Sequence, residues 1–68
     1  MAALVQHEVD ELERMVDATS VVAVLDALER ICYEKAEHLR EAWQDYGAAK
    51  TWERDGKKIA KLAAKVAV

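Results

Sequence analysis

The sequence predicts an all-α fold, a small three-helix bundle built on a long antiparallel helical hairpin, and three observations predict it. Apolar residues recur at spacings of three and four along nearly the whole chain. There is no proline, and the only glycines in 68 residues are Gly47 and Gly56, so the punctuation that sheets and hairpins need is nearly absent. The helical pattern is interrupted at Thr19 and Ser20 and again near Gly47, which divides the chain into three segments.

The first segment places Val5, Val9, Leu12 and Val16 on one stripe, with Glu8, Asp10, Glu11, Glu13 and Arg14 between them, and reads as an amphipathic helix over residues 3–17. Thr19 and Ser20 carry oxygens that accept hydrogen bonds from the free N–H groups of a following helix. The second helix is expected over 21–46. Its apolar stripe runs through Val21, Val24, Leu25, Leu28, Ile31, Cys32, Ala36, Leu39, Trp43 and Tyr46. Gly47 suits the left-handed backbone that ends a helix, and Asp45 is placed to cap the next one. So short a turn sends the third helix, 48–66, back antiparallel to the second.

That third segment carries Ala49, Trp52, Gly56, Ile59, Ala63 and Val66 on a narrow seam of coiled-coil type. Glycine inside a helix costs about 1 kcal/mol relative to alanine, and a tight crossing with the second helix would account for Gly56. Trp43, Tyr46 and Trp52 cluster near the turn and read as an aromatic plug, polar ends toward water.

A chain of 68 residues makes one domain, 1–68, with a thin core, near the limit for folding without a disulfide, a metal or a partner. Part of the long helix is left over, which makes a homodimer an expectation. Cys32 is alone, so a cytoplasmic rather than a secreted, stapled protein is expected. No basic leader with an apolar run opens the sequence, and no stretch reaches the roughly 20 apolar residues of a transmembrane segment.

The net charge of −3 hides a division. Lys50, Arg54, Lys57, Lys58, Lys61 and Lys65 stand against Glu53 and Asp55 in the last segment, while the first is acidic. Packing of the first helix beside the third would make this asymmetry partly internal. The alternative is that Lys57, Lys58, Lys61 and Lys65 form a basic patch for nucleic acid or an anionic membrane. Overall acidity, the lack of a recognition-helix pair and the lack of an aromatic stacking array make nucleic acid the weaker expectation.

No catalytic residue, cofactor-binding motif or metal site is expected. Glu34, His38 and Glu41 fall on neighbouring turns, yet neither histidine follows a glutamate by three residues as in di-iron bundles. Leu4 precedes His7 and Lys35 precedes His38. Cys32 lies on the apolar stripe, where a thiol behaves as a small hydrophobe without a base beside it. With no Gly-rich loop or nucleophile motif, the chain is read as not an enzyme.

The run Lys35, Ala36, Glu37, His38, Leu39, Arg40, followed by Trp43, Gln44, Asp45 and then by Ala49, Lys50, Trp52 and Glu53, resembles a family of small uncharacterised bacterial and phage-associated all-helical proteins. The resemblance spans about half the chain and implies a compact helical hairpin with no activity attached. In the same run Ala36, Leu39 and Trp43 are expected to face the core, while Lys35, Glu37, His38, Arg40 and Gln44 display a polar protein-binding surface. Function is thereby expected to be protein binding, as a regulatory or accessory module.

Overall fold

In a computed structural model, residues 2–66 are described; Met1, Ala67 and Val68 lie outside the described residues. The chain forms α1 (Gln6–Ala18), α2 (Val21–Ala42) and α3 (Tyr46–Val66). The architecture is all-helical, with α2 and α3 packed along each other as an antiparallel hairpin and α1 set against the first turns of α2.

The breaks between the helices follow from side-chain and backbone chemistry. Glu8 accepts a hydrogen bond from the Val5 N–H at 3.0 Å, which satisfies a free donor at the start of α1. At its end the Thr19 N–H and hydroxyl both return to the Met15 carbonyl. Ser20 then caps α2, its Oγ accepting from the Ala23 N–H at 3.0 Å. Asp45 does the same for α3, accepting from the Ala48 N–H at 3.1 Å.

The end of α2 differs from the expectation by four residues. Gln44, not Gly47, takes the left-handed backbone, with φ 52°, and the Asp45 N–H reaches back to the Leu39 carbonyl at 2.9 Å. Gly47 has no positive φ and lies in the first turn of α3. The helix stops where its own carbonyls are tied down by the returning chain, and the apolar stripe that seemed to continue to Tyr46 belongs to two helices.

Small side chains make the seam of the hairpin. Cys32 and Ala36 of α2 and Ala49, Gly56 and Ala63 of α3 are buried, and among the described residues no large side chain is fully buried. Gly56 is the tight crossing that its position predicts: a Cβ there would stand 3.0 Å from Tyr33 Cε1 and 3.3 Å from Cys32 Cβ. Leu25, Leu39 and Ile59 are half-buried beside the seam. Across one edge of it Arg40 forms an ion pair with Glu53.

Much of the expected core is at the surface. Val5, Val9, Val21, Leu28 and Ile31 are exposed, and so are Trp43, Tyr46 and Trp52. The aromatic plug therefore does not form; Trp43 is 71% exposed and its Nε1–H donates to His38 Nε2 at 3.3 Å. The physical reason is that two alanine-lined helices meet too closely to admit aromatic rings between them. Nor do the acidic and basic helices lie side by side, because α1 approaches α2 alone among the described residues.

The consequence is an open, flat molecule. Its radius of gyration is 13.6 Å and its extents are 37 × 29 × 17 Å, against about 11 Å for a compact domain of this length. It exposes 5555 Å², where a compact monomer of this mass exposes about 4300 Å².

Candidate protein-binding surface

Two features of the α2 surface shape what it can bind. The first is an apolar groove of about 410 Å³ where α1 and α2 diverge, lined by Leu12 and Met15 of α1 and by Ala23, Val24, Leu28 and Ile31 of α2. It arises because α1 meets α2 only near the Thr19–Ser20 break and then leaves it, so that Leu12 and Val16 are half-buried while Val5 and Val9, farther from the break, are exposed. The second is a polar depression of about 420 Å³ on another face of α2, bordered by Asp26, Glu29, Arg30, Tyr33, Glu34 and Glu37. With four carboxylates and one guanidinium it favours a cationic or hydrogen-bonding surface over an apolar one.

The residues expected to display a polar binding surface are all exposed, but the helix distributes them over its circumference. At about 100° per residue, Glu37 and Arg40 fall on one flank of the Cys32–Ala36 line, and Lys35 and His38 on the other. Glu37 joins the polar depression. Arg40 leans to α3 and pairs with Glu53. Lys35 lies one turn after Ile31, at the end of the apolar flank, and His38 lies next along it with Nε2 accepting from Trp43. Gln44 sits in the linker at the left-handed position.

The lysines of the basic patch are also exposed. Lys57, Lys58, Lys61 and Lys65 share an arc of about 100° with Lys50 and Arg54 on the outer side of α3, and this arc is about 22 Å long by helix geometry. Nothing on α1 neutralises it within the chain, since the two helices do not approach each other.

Cys32 is buried against α3. Burial raises its thiol above the ordinary value, and the negative charge of Asp55 adds to the effect. A thiol so placed is a core side chain, in keeping with its position in the sequence. Among the described residues no three His, Cys, Asp or Glu side chains come together as a ligand set for a metal ion, and no helix is long and apolar enough to cross a membrane.

What sequence reasoning missed is the groove. The alternation of three and four along α2 showed a stripe of apolar residues, but that stripe is wide enough for two neighbours. Leu25, Cys32, Ala36 and Leu39 turn to α3, while Val24, Leu28 and Ile31 turn away from it, and the signal that could have separated them was the width of the stripe, which exceeds what one alanine-lined helix covers. Comparison of the chain with protein-family models, with curated proteins and with solved structures finds no match.

Proposed function

We propose that this chain is a non-enzymatic protein-interaction module, a cytoplasmic regulator or accessory protein of the phage-associated kind, which works as a homodimer and docks on another protein through α2. The observation that supports the reading most directly is the exposed surface, about 1250 Å² more than a compact monomer of this mass presents. Much of the excess is apolar and lies along α1, α2 and the last turns of α3. Stable interfaces remove about 800 Å² from each partner, so the excess matches the needs of an interface.

The polar run of α2 gives the second partner its contacts. Lys35, Glu37 and His38 are exposed, and none is tied to α3, whereas Arg40 is held by Glu53. Replacing Lys35, Glu37 and His38 together by alanine is expected to abolish capture of a specific partner from the source cells while circular dichroism retains the helical spectrum. Capture of the same protein by the triple variant at unchanged yield overturns this run as the source of the docking contacts.

A second reading is favoured by one observation, the unneutralised basic arc of α3. It makes the chain a binder of anionic surfaces through Lys57, Lys58, Lys61 and Lys65, with affinity for DNA or acidic vesicles that falls steeply with salt. Absence of binding at low ionic strength removes this reading and leaves the first intact.

A further inference from the structure

We infer that the apolar flank shared by α2 and α3 is the docking site for α1 of a second copy of this chain, so that each copy's acidic helix lies on the other's hairpin. The inference rests on the interaction-module reading above and gives the identity of one occupant.

Geometry brings the flank together. On α2, Leu28 and Ile31 lie on one side of the buried Cys32–Ala36 line and Arg40 lies on the other, at about 100° per residue. On α3, Leu62 and Val66 lie on one side of the buried Gly56–Ala63 line and Glu53 on the other. Arg40 and Glu53 meet across the seam. Their encounter marks one edge of the hairpin, and the other edge therefore carries Leu28, Ile31, Leu62 and Val66 together. These four are 39%, 45%, 50% and 40% exposed.

Charge selects the occupant. Within α1, Glu8, Asp10, Glu11, Glu13 and Asp17 oppose only Arg14, a net of −4, while α3 carries six basic residues against Glu53 and Asp55, a net of +4. The two helices make no approach within the chain. The apolar flank has a basic rim: Leu62 is flanked by Lys58 one turn earlier and by Lys65 three residues later, and Ile31 is followed one turn on by Lys35. An acidic helix with a valine stripe fits such a strip, and α1 is one, with Val5 and Val9 exposed and Glu8 and Glu13 beside them. Reciprocal docking uses each surface twice and closes as a two-fold dimer.

The test is the mass of the full-length chain in solution, followed by light scattering or sedimentation equilibrium over a dilution series. The expected result is a dimer that Val9→Glu and Leu62→Glu each weaken at least about tenfold, with the helical spectrum of the monomer retained because both side chains are exposed within one chain. Charge reversal makes the test specific to this pairing. A Glu8→Lys, Glu13→Lys variant and a Lys58→Glu, Lys65→Glu variant are each expected to dissociate alone and to form a one-to-one heterodimer on mixing.

A chain that is monomeric up to about 1 mM, a dimer indifferent to both Val9→Glu and Leu62→Glu, or reversed variants that do not associate on mixing would each overturn the inference. None of these results touches the partner reading, whose own test is capture by the α2 polar run. Conversely, a Glu37→Ala, His38→Ala variant, which leaves the Lys35 rim in place, is expected to lose capture with the dimer measurements unchanged.

Discussion

At the scale of single residues, the contact between Gly56 and Tyr33 shows how closely α2 and α3 meet. A methyl group at position 56 would lie 3.0 Å from the Tyr33 ring and 3.3 Å from Cys32 Cβ, so two opposed effects decide the outcome of Gly56→Ala. Helix propensity favours alanine by about 1 kcal/mol, and overpacking a tight crossing costs about 1–3 kcal/mol. The Tyr33 ring can yield, being partly exposed, but Cys32 Cβ is fixed to its backbone. Gly56→Ala is therefore expected to destabilise the chain by about 1 kcal/mol, measured by urea unfolding, and Tyr33→Ala in the same chain is expected to leave most of that penalty in place, since Cys32 Cβ remains. Cys32 on the same seam gives a pH dependence. Its thiol is raised above the ordinary value by burial first and by Asp55 second, so the native state holds its proton where the unfolded chain releases it. Stability from this source is complete below the unfolded thiol's value of about 8.5 and declines as pH rises through it. Unfolding free energy is expected to fall as pH rises above about 8.5, and Cys32→Ala is expected to flatten that slope.

At the scale of the helices, the stop of α2 was the least legible feature and its reason is local. Glycine is the residue that left-handed backbone ordinarily selects, which made Gly47 the natural stop. The chain places Gln44 there instead, where its Cβ is strained at φ 52°. Gln44→Gly is expected to raise stability by about 0.5–1 kcal/mol, read as a higher unfolding midpoint with an unchanged slope in urea. The starts of α2 and α3 were more legible, whereas α1 begins at Gln6, three residues after its expected start. Ser20 and Asp45 stand in the sequence as capping residues before helical runs, and both accept the predicted backbone hydrogen bonds. The small-residue seam of α3 was legible too, because Ala49, Gly56 and Ala63 recur every seven residues and all three are buried. Side-chain partners across helices were not. Periodicity shows that Leu28 and Ile31 are apolar and near the Cys32 face, but it cannot show that α3 turns only one edge of that face to them, since the edge is set by a crossing that Gly56 and Tyr33 determine in space. The same limit dispersed the polar run of α2: Lys35, Glu37, His38 and Arg40 are neighbours in sequence and lie on opposite flanks of a helix.

At the scale of the whole molecule, the three helices do not contribute equally to the fold. The α2–α3 seam contains the buried side chains, and α1 has none buried. Its stripe is half-covered only at Leu12 and Val16, next to the Ser20 cap. A chain beginning at Ser20 keeps that cap, the left-handed stop at Gln44, the Asp45 cap, and the whole seam from Cys32–Gly56 to Arg40–Glu53. Because helices of this length gain most of their stability from packing rather than propensity, the hairpin that carries the packing is expected to fold without α1. Residues 20–68 should give a cooperative thermal transition within about 5 °C of the full chain measured when dilute, with the helical signal reduced by the share of α1. At high concentration the two are expected to diverge, since only the full chain gains stability from association, and its midpoint alone should rise with protein concentration. A truncated chain without a cooperative transition would show that α1 is part of the folding unit, and its place would then be on its own hairpin rather than on a neighbour's.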